Sequence, residues 1–98
     1  MYVLDAIIKA FVKKQNLTNK DSYIQAKVVL EEAQELQEAV LSGDEENLKE
    51  ELADVIIATA VLAEIKGYLN NMTDLVAKKM QVNLKKPIRK DGGKVPKE

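Results

Sequence analysis

The sequence predicts an all-α protein built as an antiparallel bundle of four helices, and three observations favour this fold class. The chain has only four glycines and two prolines in 98 residues, a length that suits one domain at most. Apolar residues recur three and four positions apart in four successive segments. These segments are separated by residues that typically begin or end a helix.

The first two helices are predicted over residues 2–15 and 22–41. Asp21 or Ser22 is a suitable N-cap for the second helix, after the polar stretch NLTNKDS. The predicted inner faces consist of Val3, Ile7, Ala10 and Phe11, flanked by Leu4 and Ile8, in the first helix and of Val29, Ala33, Leu36 and Val40 in the second. We expect both faces to contribute to the core.

The third helix is predicted over residues 45–66. Gly43 suits the left-handed residue that ends the second helix, Asp44 suits the cap of the third, and Gly67 suits its end. The nine residues 55–63, VIIATAVLA, carry no charge. A helix that is apolar on every side is typical of a buried position, so we expect this helix to lie in the core.

The fourth helix is predicted over residues 72–84, with Asn71 or Thr73 near its cap. Its apolar side chains are Leu75, Val76 and Met80, which we expect to face the core. The predicted domain is therefore 1–86. Residues 87–98 are predicted to be a basic C-terminal tail, because the sequence KKPIRKDGGKVPKE has two prolines, paired glycines, six lysine or arginine residues and almost nothing apolar.

Composition excludes several classes of function. The net charge of −1 argues against a nucleic-acid partner and against binding to an anionic membrane. The N-terminal sequence MYVLDAIIKAFVKK lacks the features of a signal peptide, and no apolar run is long enough for a bilayer, so we expect a cytoplasmic protein. The chain has no cysteine and no histidine, which leaves only oxygen ligands for a metal such as Mg²⁺, Mn²⁺ or Ca²⁺.

Carboxylates are concentrated in two places. The stretch LEEAQELQEAV carries four glutamates within eight residues, Glu31, Glu32, Glu35 and Glu38, and EELADV follows in the third helix. Glu32 and Glu35 are three residues apart, as are Glu51 and Asp54, so each pair occupies one side of its helix.

Two interpretations of these acids are open. They can coat solvated helix faces, which suits Glu31 and Glu38, or complement a helix dipole near a helix N-terminus, which suits Glu45 and Glu46. Alternatively, because the two pairs lie on neighbouring antiparallel helices, they converge and repel each other unless a cation is bound. We favour the second interpretation for the two pairs, with Mg²⁺ bound among them and a phosphate bound to Mg²⁺.

The same residues resemble the MazG-like nucleoside triphosphate pyrophosphohydrolases of the all-α NTP pyrophosphatase superfamily. The family pattern is E-E-x-x-E, a spacer and E-x-x-D, which here is Glu31-Glu32-x-x-Glu35, fifteen residues, and Glu51-x-x-Asp54. The resemblance covers residues 27–83. It implies hydrolysis of an NTP or dNTP to the monophosphate and pyrophosphate with Mg²⁺ or Mn²⁺, in the service of nucleotide-pool cleansing.

The resemblance also implies roles for particular residues. Glu32, Glu35, Glu51 and Asp54 correspond to the metal ligands. A Lys-x-x-x-Asn pattern that contacts the substrate corresponds to Lys79 and Asn83. Glu31 corresponds to the first acid of the pattern, which helps to orient the attacking water. In the mechanism that we expect, Glu31 or Glu38, outside the ligand set, is the candidate catalytic base. Related proteins often assemble their sites between subunits, so we expect a homodimer or homotetramer.

A second hypothesis is a helical module that binds a nucleotide or a protein without catalysis. The four clustered acids argue against it, because a module without a metal has no need to tolerate their repulsion. A third, nucleic-acid binding through the basic tail, is weakened by the net charge of −1. The base preference stays open, since the chain has one phenylalanine and three tyrosines, and Phe11 is expected in the core.

Overall fold

The computed structural model describes residues 2–86, and it describes side chains from Leu4 onward. Its helices are α1 (Tyr2–Lys14), α2 (Ser22–Ser42), α3 (Glu45–Ile65) and α4 (Met72–Asn83), with short 3₁₀ turns at Asn19–Asp21 and Leu69–Asn71. Residues 2–86 include no strand. The all-α class and the four predicted helices are thus confirmed, with helix bounds that agree to within two residues. The predicted tail, 87–98, lies outside the described residues, and the division of the chain there stays a prediction.

A short connector holds α2 and α3 side by side in opposite directions. Gly43 ends α2 with φ of 77°, a left-handed conformation that favours glycine. Asp44 then caps α3, its side-chain oxygen accepting a hydrogen bond from the Asn47 amide at 3.1 Å. Because the connector is only these two residues, the two helices must be antiparallel neighbours.

The end of α3 is fixed by a Schellman motif. Gly67 has φ of 79°, and its amide donates to the Glu64 carbonyl at 2.9 Å. The amide of Tyr68 donates to the Ala63 carbonyl at 2.8 Å. These two bonds satisfy carbonyls that the helix end leaves without partners, so the predicted stop at Gly67 has a clear physical basis.

The core is small and lies between α1 and the C-terminal half of α3. Its larger side chains are Ile8, Val12, Val61, Ile65 and Leu69, accompanied by two alanines of α3. The predicted inner face of α1 is wrong by one position: Ile8 and Val12 are buried, whereas Ile7 and Phe11 are exposed. Spacing alone fits either set, because apolar residues occupy both, and the crossing of α1 over α3 selects one.

The prediction that α4 closes a four-helix bundle is wrong for the single chain. Helix α4 packs chiefly against the 3₁₀ turn before it and makes only sparse contact with the other helices. Leu75, Val76 and Met80, predicted to face the core, are exposed, and so is Val40 of α2. The apolar pattern correctly marks faces suited to burial but does not specify what covers them.

Helix α3 also departs from its predicted burial. Within the apolar run 55–63, Ala58, Ala60, Val61 and Ala63 are buried, but Ile56 and Ile57 are exposed. Among residues 2–86, no helix therefore covers this side of α3. No helix of the described part of the chain has the length and hydropathy needed to cross a bilayer.

The cap of α3 gives a test of the fold. Replacing Asp44 by Ala removes the acceptor for the Asn47 amide and should lower the free energy of unfolding by about 1 kcal/mol, within a range of about 0.5–2. Urea denaturation followed by circular dichroism measures this change. As a control, Lys49→Ala removes an exposed ion pair with Glu46 but leaves the first turn of α3 unchanged, and should cost less than about 0.5 kcal/mol. Equal losses in the two variants would contradict the assigned cap.

Candidate functional site

A hydrogen bond between α2 and α3 shows how the two helices are aligned. The side-chain amide of Gln25 donates to the Ala58 carbonyl at 3.0 Å. Seven residues further along α2 is Glu32, and seven residues back along α3 is Glu51. Seven residues make about two helical turns, so both steps return to the same side of each helix. The alignment that pairs Gln25 with Ala58 therefore also places Glu32 opposite Glu51.

Three carboxylates meet at this level. Glu32, Glu35 and Glu51 each have one carboxylate oxygen within 4.8 Å of the corresponding oxygens of the other two. Glu32 and Glu51 are half-buried, and Glu35 is exposed. In both half-buried residues the Oε2 atom has almost no accessible surface and no hydrogen-bond partner. Unpartnered buried oxygens are rare in proteins, because each forgoes the solvation that it had in the unfolded chain.

The electrostatics of the group oppose its ionisation. Burial raises the pKa of Glu32 above its ordinary value of 4.5, and the negative charges of Glu35 and Asp54 raise it further. Burial likewise raises the pKa of Glu51, again with contributions from Glu35 and Asp54. Both causes disfavour the charged carboxylate. At neutral pH the negative charges of these carboxylates therefore repel one another. A cation bound among them would reduce this repulsion.

This arrangement suits a hard divalent cation. The donors are carboxylate oxygens only, supplied by two helices, and Glu32 and Glu51 each also have a buried oxygen without a partner. Oxygen ligands are those that Mg²⁺ and Mn²⁺ take in proteins. A cation bound here would supply both the missing partners and the missing positive charge. The residues present thus fit the metal that the sequence predicts.

The other predicted acids lie around this group. Asp54 is exposed and outside the three-carboxylate group, yet it is close enough for its charge to raise the pKa of both Glu32 and Glu51. Glu31 is exposed and also raises the pKa of Glu32. Glu38 is exposed on α2, one turn beyond Glu35.

The predicted substrate contacts are not brought to the carboxylates by the single chain. Lys79 and Asn83 are exposed on α4, which packs only sparsely on α2 and α3. A cavity of about 440 Å³ lies elsewhere along α2 and α3 and includes Tyr23, Thr59 and Tyr68 in its lining. No acidic residue lines this cavity, so it is separate from the carboxylate group.

Sequence reasoning missed Gln25. A signal was available, since Gln25 precedes Glu32 by seven residues and shares its side of α2. A glutamine near an apolar stripe has many possible partners, however, and the spacing does not indicate which one it finds. Only the packed pair of helices identifies the Ala58 carbonyl.

A comparison with protein families adds an independent finding. The model of the MazG nucleotide pyrophosphohydrolase domain matches residues 20–89, which is more than half of the chain and includes all the acids described above. No curated protein and no solved structure matches the chain.

The raised pKa of Glu32 leads to a test by thermal unfolding. Because the folded state binds this proton more tightly than the unfolded state, ionisation destabilises the fold. The penalty is absent below about pH 4.5 and complete above the raised pKa. In chelator-treated protein, Glu32→Gln should therefore raise Tm at pH 7 and leave it unchanged at pH 4. Glu38→Gln, an exposed control, should have little effect at either pH, and an equal response of the two variants would contradict the assigned repulsion.

The hydrogen bond of Gln25 gives a second test. Gln25→Met keeps the approximate size of the side chain but removes the donor, and should lower the free energy of unfolding by about 0.5–1.5 kcal/mol. Since the same alignment sets the separation of Glu32 and Glu51, Mg²⁺ affinity in isothermal titration should fall as well. Gln34→Met, at an exposed position of α2, is the matched control and should change neither quantity.

Proposed function

The chain belongs to the family of MazG nucleotide pyrophosphohydrolase domains, and from this premise we propose that it is a Mg²⁺-dependent nucleoside triphosphate pyrophosphohydrolase. The substrate is an NTP or a dNTP, and the products are the nucleoside monophosphate and pyrophosphate. The observation that carries the proposal is the carboxylate group of Glu32, Glu35 and Glu51, in which two buried oxygens have no partner. Removal of unwanted triphosphates from the nucleotide pool is the corresponding role.

In this proposal four acids hold the metal. Glu32, Glu35 and Glu51 supply the oxygens that already lie together, and Asp54 completes the set from the next turn of α3. Bound there, Mg²⁺, or Mn²⁺ in its place, would neutralise charge on the phosphates and lower the pKa of a water ligand. Because Glu32 and Glu51 are half-buried, solvent screens their charges less. Their electrostatic attraction for a cation is therefore stronger.

The remaining residues act on water and on the phosphates. A water oxygen attacks the α-phosphorus as the bond to the bridging oxygen of the β-phosphate breaks, and pyrophosphate leaves. The proton of that water passes to Glu31 or Glu38, which stand outside the ligand set on the exposed side of α2. Lys79 and Asn83 bind the phosphates once α4 is positioned, Lys79 by its charge and Asn83 by its amide.

The active form in this proposal is a homodimer or homotetramer. Among the described residues only nine are buried, four of them alanines, whereas sixteen large apolar residues are exposed. A short chain buries little of its surface, and this chain leaves an unusual share of its large apolar side chains in contact with water. Association with further copies would remove that surface from water.

A product analysis tests the reaction. The protein is incubated with each common NTP and dNTP, with Mg²⁺ or with chelator, and the products are separated by ion-exchange chromatography. The proposal expects monophosphate and pyrophosphate in equal amounts, only when metal is present. Diphosphate and inorganic phosphate would indicate cleavage at another bond. Mg²⁺-dependent binding of a nucleotide without any product would favour the non-catalytic module instead.

One substitution tests the assigned ligands. Glu51→Gln removes a charged ligand and should lower Mg²⁺-dependent release of pyrophosphate by at least about 100-fold, since changes even to groups that only support metal ligands cost about 10–100-fold. The helical circular dichroism signal should be unchanged. Glu45→Gln, which alters an exposed acid in the first turn of the same helix, is the control and should retain activity. Full activity in Glu51→Gln would remove Glu51 from the ligand set.

A further inference from the structure

The carboxamide of Gln25 has one end committed to α3 and one end free. Its nitrogen Nε2 donates to the Ala58 carbonyl at 3.0 Å. A backbone carbonyl can only accept a hydrogen bond, so the NH₂ group must be the end that faces Ala58. The remaining end of the carboxamide is the oxygen Oε1, which can only accept. The contact with α3 therefore determines that the free end of Gln25 is an acceptor.

This acceptor is accessible to a ligand. Within residues 4–86, the structure shows no donor bonded to Gln25 Oε1, and this atom is not among the buried side-chain oxygens that lack a partner. The oxygen therefore contacts solvent, although the residue as a whole is half-buried. Because the bond to Ala58 restricts the side chain, the acceptor is held in one orientation. A ligand that meets it must supply a hydrogen-bond donor.

Gln25 lies on the same side of α2 as the carboxylate group, two helical turns away. It precedes Glu32 by seven residues, a rise of about 10.5 Å along the helix. Val29 lies between them on α2, one turn from Gln25, and Val55 lies one turn from Glu51 on α3. Both valines are half-buried. The seam between the two helices thus carries carboxylates at one level, apolar side chains at the next and a fixed acceptor at the third.

The order of these three levels matches the order of groups in a nucleotide. In the proposed function the phosphates bind at the carboxylate group. The sugar and the face of the base, which are less polar than the phosphates, would then lie along Val29 and Val55. The two turns between Glu32 and Gln25, about 10.5 Å, are comparable to the distance between the α-phosphate and the outer edge of the base in an extended nucleotide. Gln25 is therefore at the level of that edge.

The bases differ in what their outer edges offer to an acceptor. Cytosine and adenine carry an exocyclic amine, which donates a hydrogen bond. Thymine and guanine carry a keto oxygen at the equivalent position, which accepts, and uracil has the same keto group as thymine. An unrestrained glutamine can turn its carboxamide to suit either kind of base. Gln25 cannot do so without breaking its bond to Ala58, so its oxygen favours the amine and disfavours the keto group.

We propose that Gln25 determines base specificity: its Oε1 accepts a hydrogen bond from the exocyclic amine of the base and selects cytosine and adenine nucleotides. This inference deepens the proposed function and rests on it, since the phosphates are placed at the carboxylates. The role differs from the alignment of α2 and α3 by the same side chain. Alignment alone affects every nucleotide equally, whereas the free acceptor affects the ratio between an amino base and its keto counterpart.

The experiment measures binding rather than turnover. It uses the α,β-methylene analogues of dCTP and dUTP, which resist cleavage between the α- and β-phosphates, and isothermal titration with Mg²⁺ present gives the Kd of each analogue. The wild type should bind the cytosine analogue at least about 5-fold more tightly than the uracil analogue, the lower end of the discrimination that direct contacts to base edges provide. The analogues of dATP and dITP, which differ in the same way, should show a preference for adenine.

Two substitutions separate base selection from helix alignment. Gln25→Lys retains a donor for the Ala58 carbonyl but has no acceptor, so the preference for cytosine should disappear or invert. Gln25→Met has neither donor nor acceptor, so both analogues should bind more weakly and the preference should again disappear. Gln34→Met, at an exposed position of α2, is the matched control and should keep the wild-type ratio. Circular dichroism verifies that the variants have equal helical content, and if Gln25→Lys lost helix, Gln25→Met would carry the comparison.

The proposal is overturned if the wild type binds neither analogue or binds both equally. It is also overturned if both Gln25 variants keep the wild-type ratio, since Gln25 would then only align the helices. These results are independent of catalysis. A protein that prefers the amino-bearing analogues but releases no pyrophosphate from any triphosphate would refute the proposed activity and leave the role of Gln25 standing. Release of pyrophosphate together with equal affinity for the two analogues would refute the role of Gln25 alone.

Discussion

The arrangement of this protein depends on the repulsion among carboxylates that the α2–α3 hairpin brings together. The two-residue connector makes α2 and α3 antiparallel, and the alignment seen at Gln25 and Ala58 places Glu32 opposite Glu51. Glu35 joins them from the next turn of α2. The fold thus brings several negative charges close together. The Oε2 atoms of Glu32 and Glu51 have no hydrogen-bond donor that would offset the repulsion. Such an arrangement has a physical rationale when a cation is the intended partner.

The rest of the hairpin is built to keep that alignment. Gly43 and Asp44 fix its turn, and the Schellman motif at Gly67 fixes the far end of α3. Helix α1 packs on the C-terminal half of α3, away from the acids, and forms most of the small core with it. Apolar contacts therefore stabilise one end of the hairpin, and the carboxylates lie towards the other end. Stability and the candidate chemistry are separated along the same two helices.

The exposure of many large apolar residues is related to the small size of the chain. A chain of 98 residues removes only a limited share of its surface from water, and here the described part of the chain buries only five large apolar residues. Helix α4 packs only sparsely on α1–α3 and leaves its large apolar residues exposed to water.

The sequence by itself determined the helices, their ends and the acidic residues that lie close together in the structure. Helix bounds depend on local spacing and on Gly43, Asp44 and Gly67, whose effects act within a few residues. The acid pairs likewise follow from spacing on one helix, and their pattern, E-E-x-x-E followed by E-x-x-D, is local enough to indicate the family, which the match over residues 20–89 confirms. Their convergence also follows, since a two-residue connector permits only antiparallel neighbours.

Only the tertiary structure decided which apolar residues are covered and by what. Ile7 and Ile8 are equally apolar, and the crossing of α1 over α3 buries the second and exposes the first. The partner of Gln25 is 33 residues away in sequence, beyond the range of any local pattern. The apolar residues of α4 recur at helical spacing. What covers them depends on how the whole chain packs, which this spacing does not specify. These are contacts between distant segments, which spacing along a single helix does not encode.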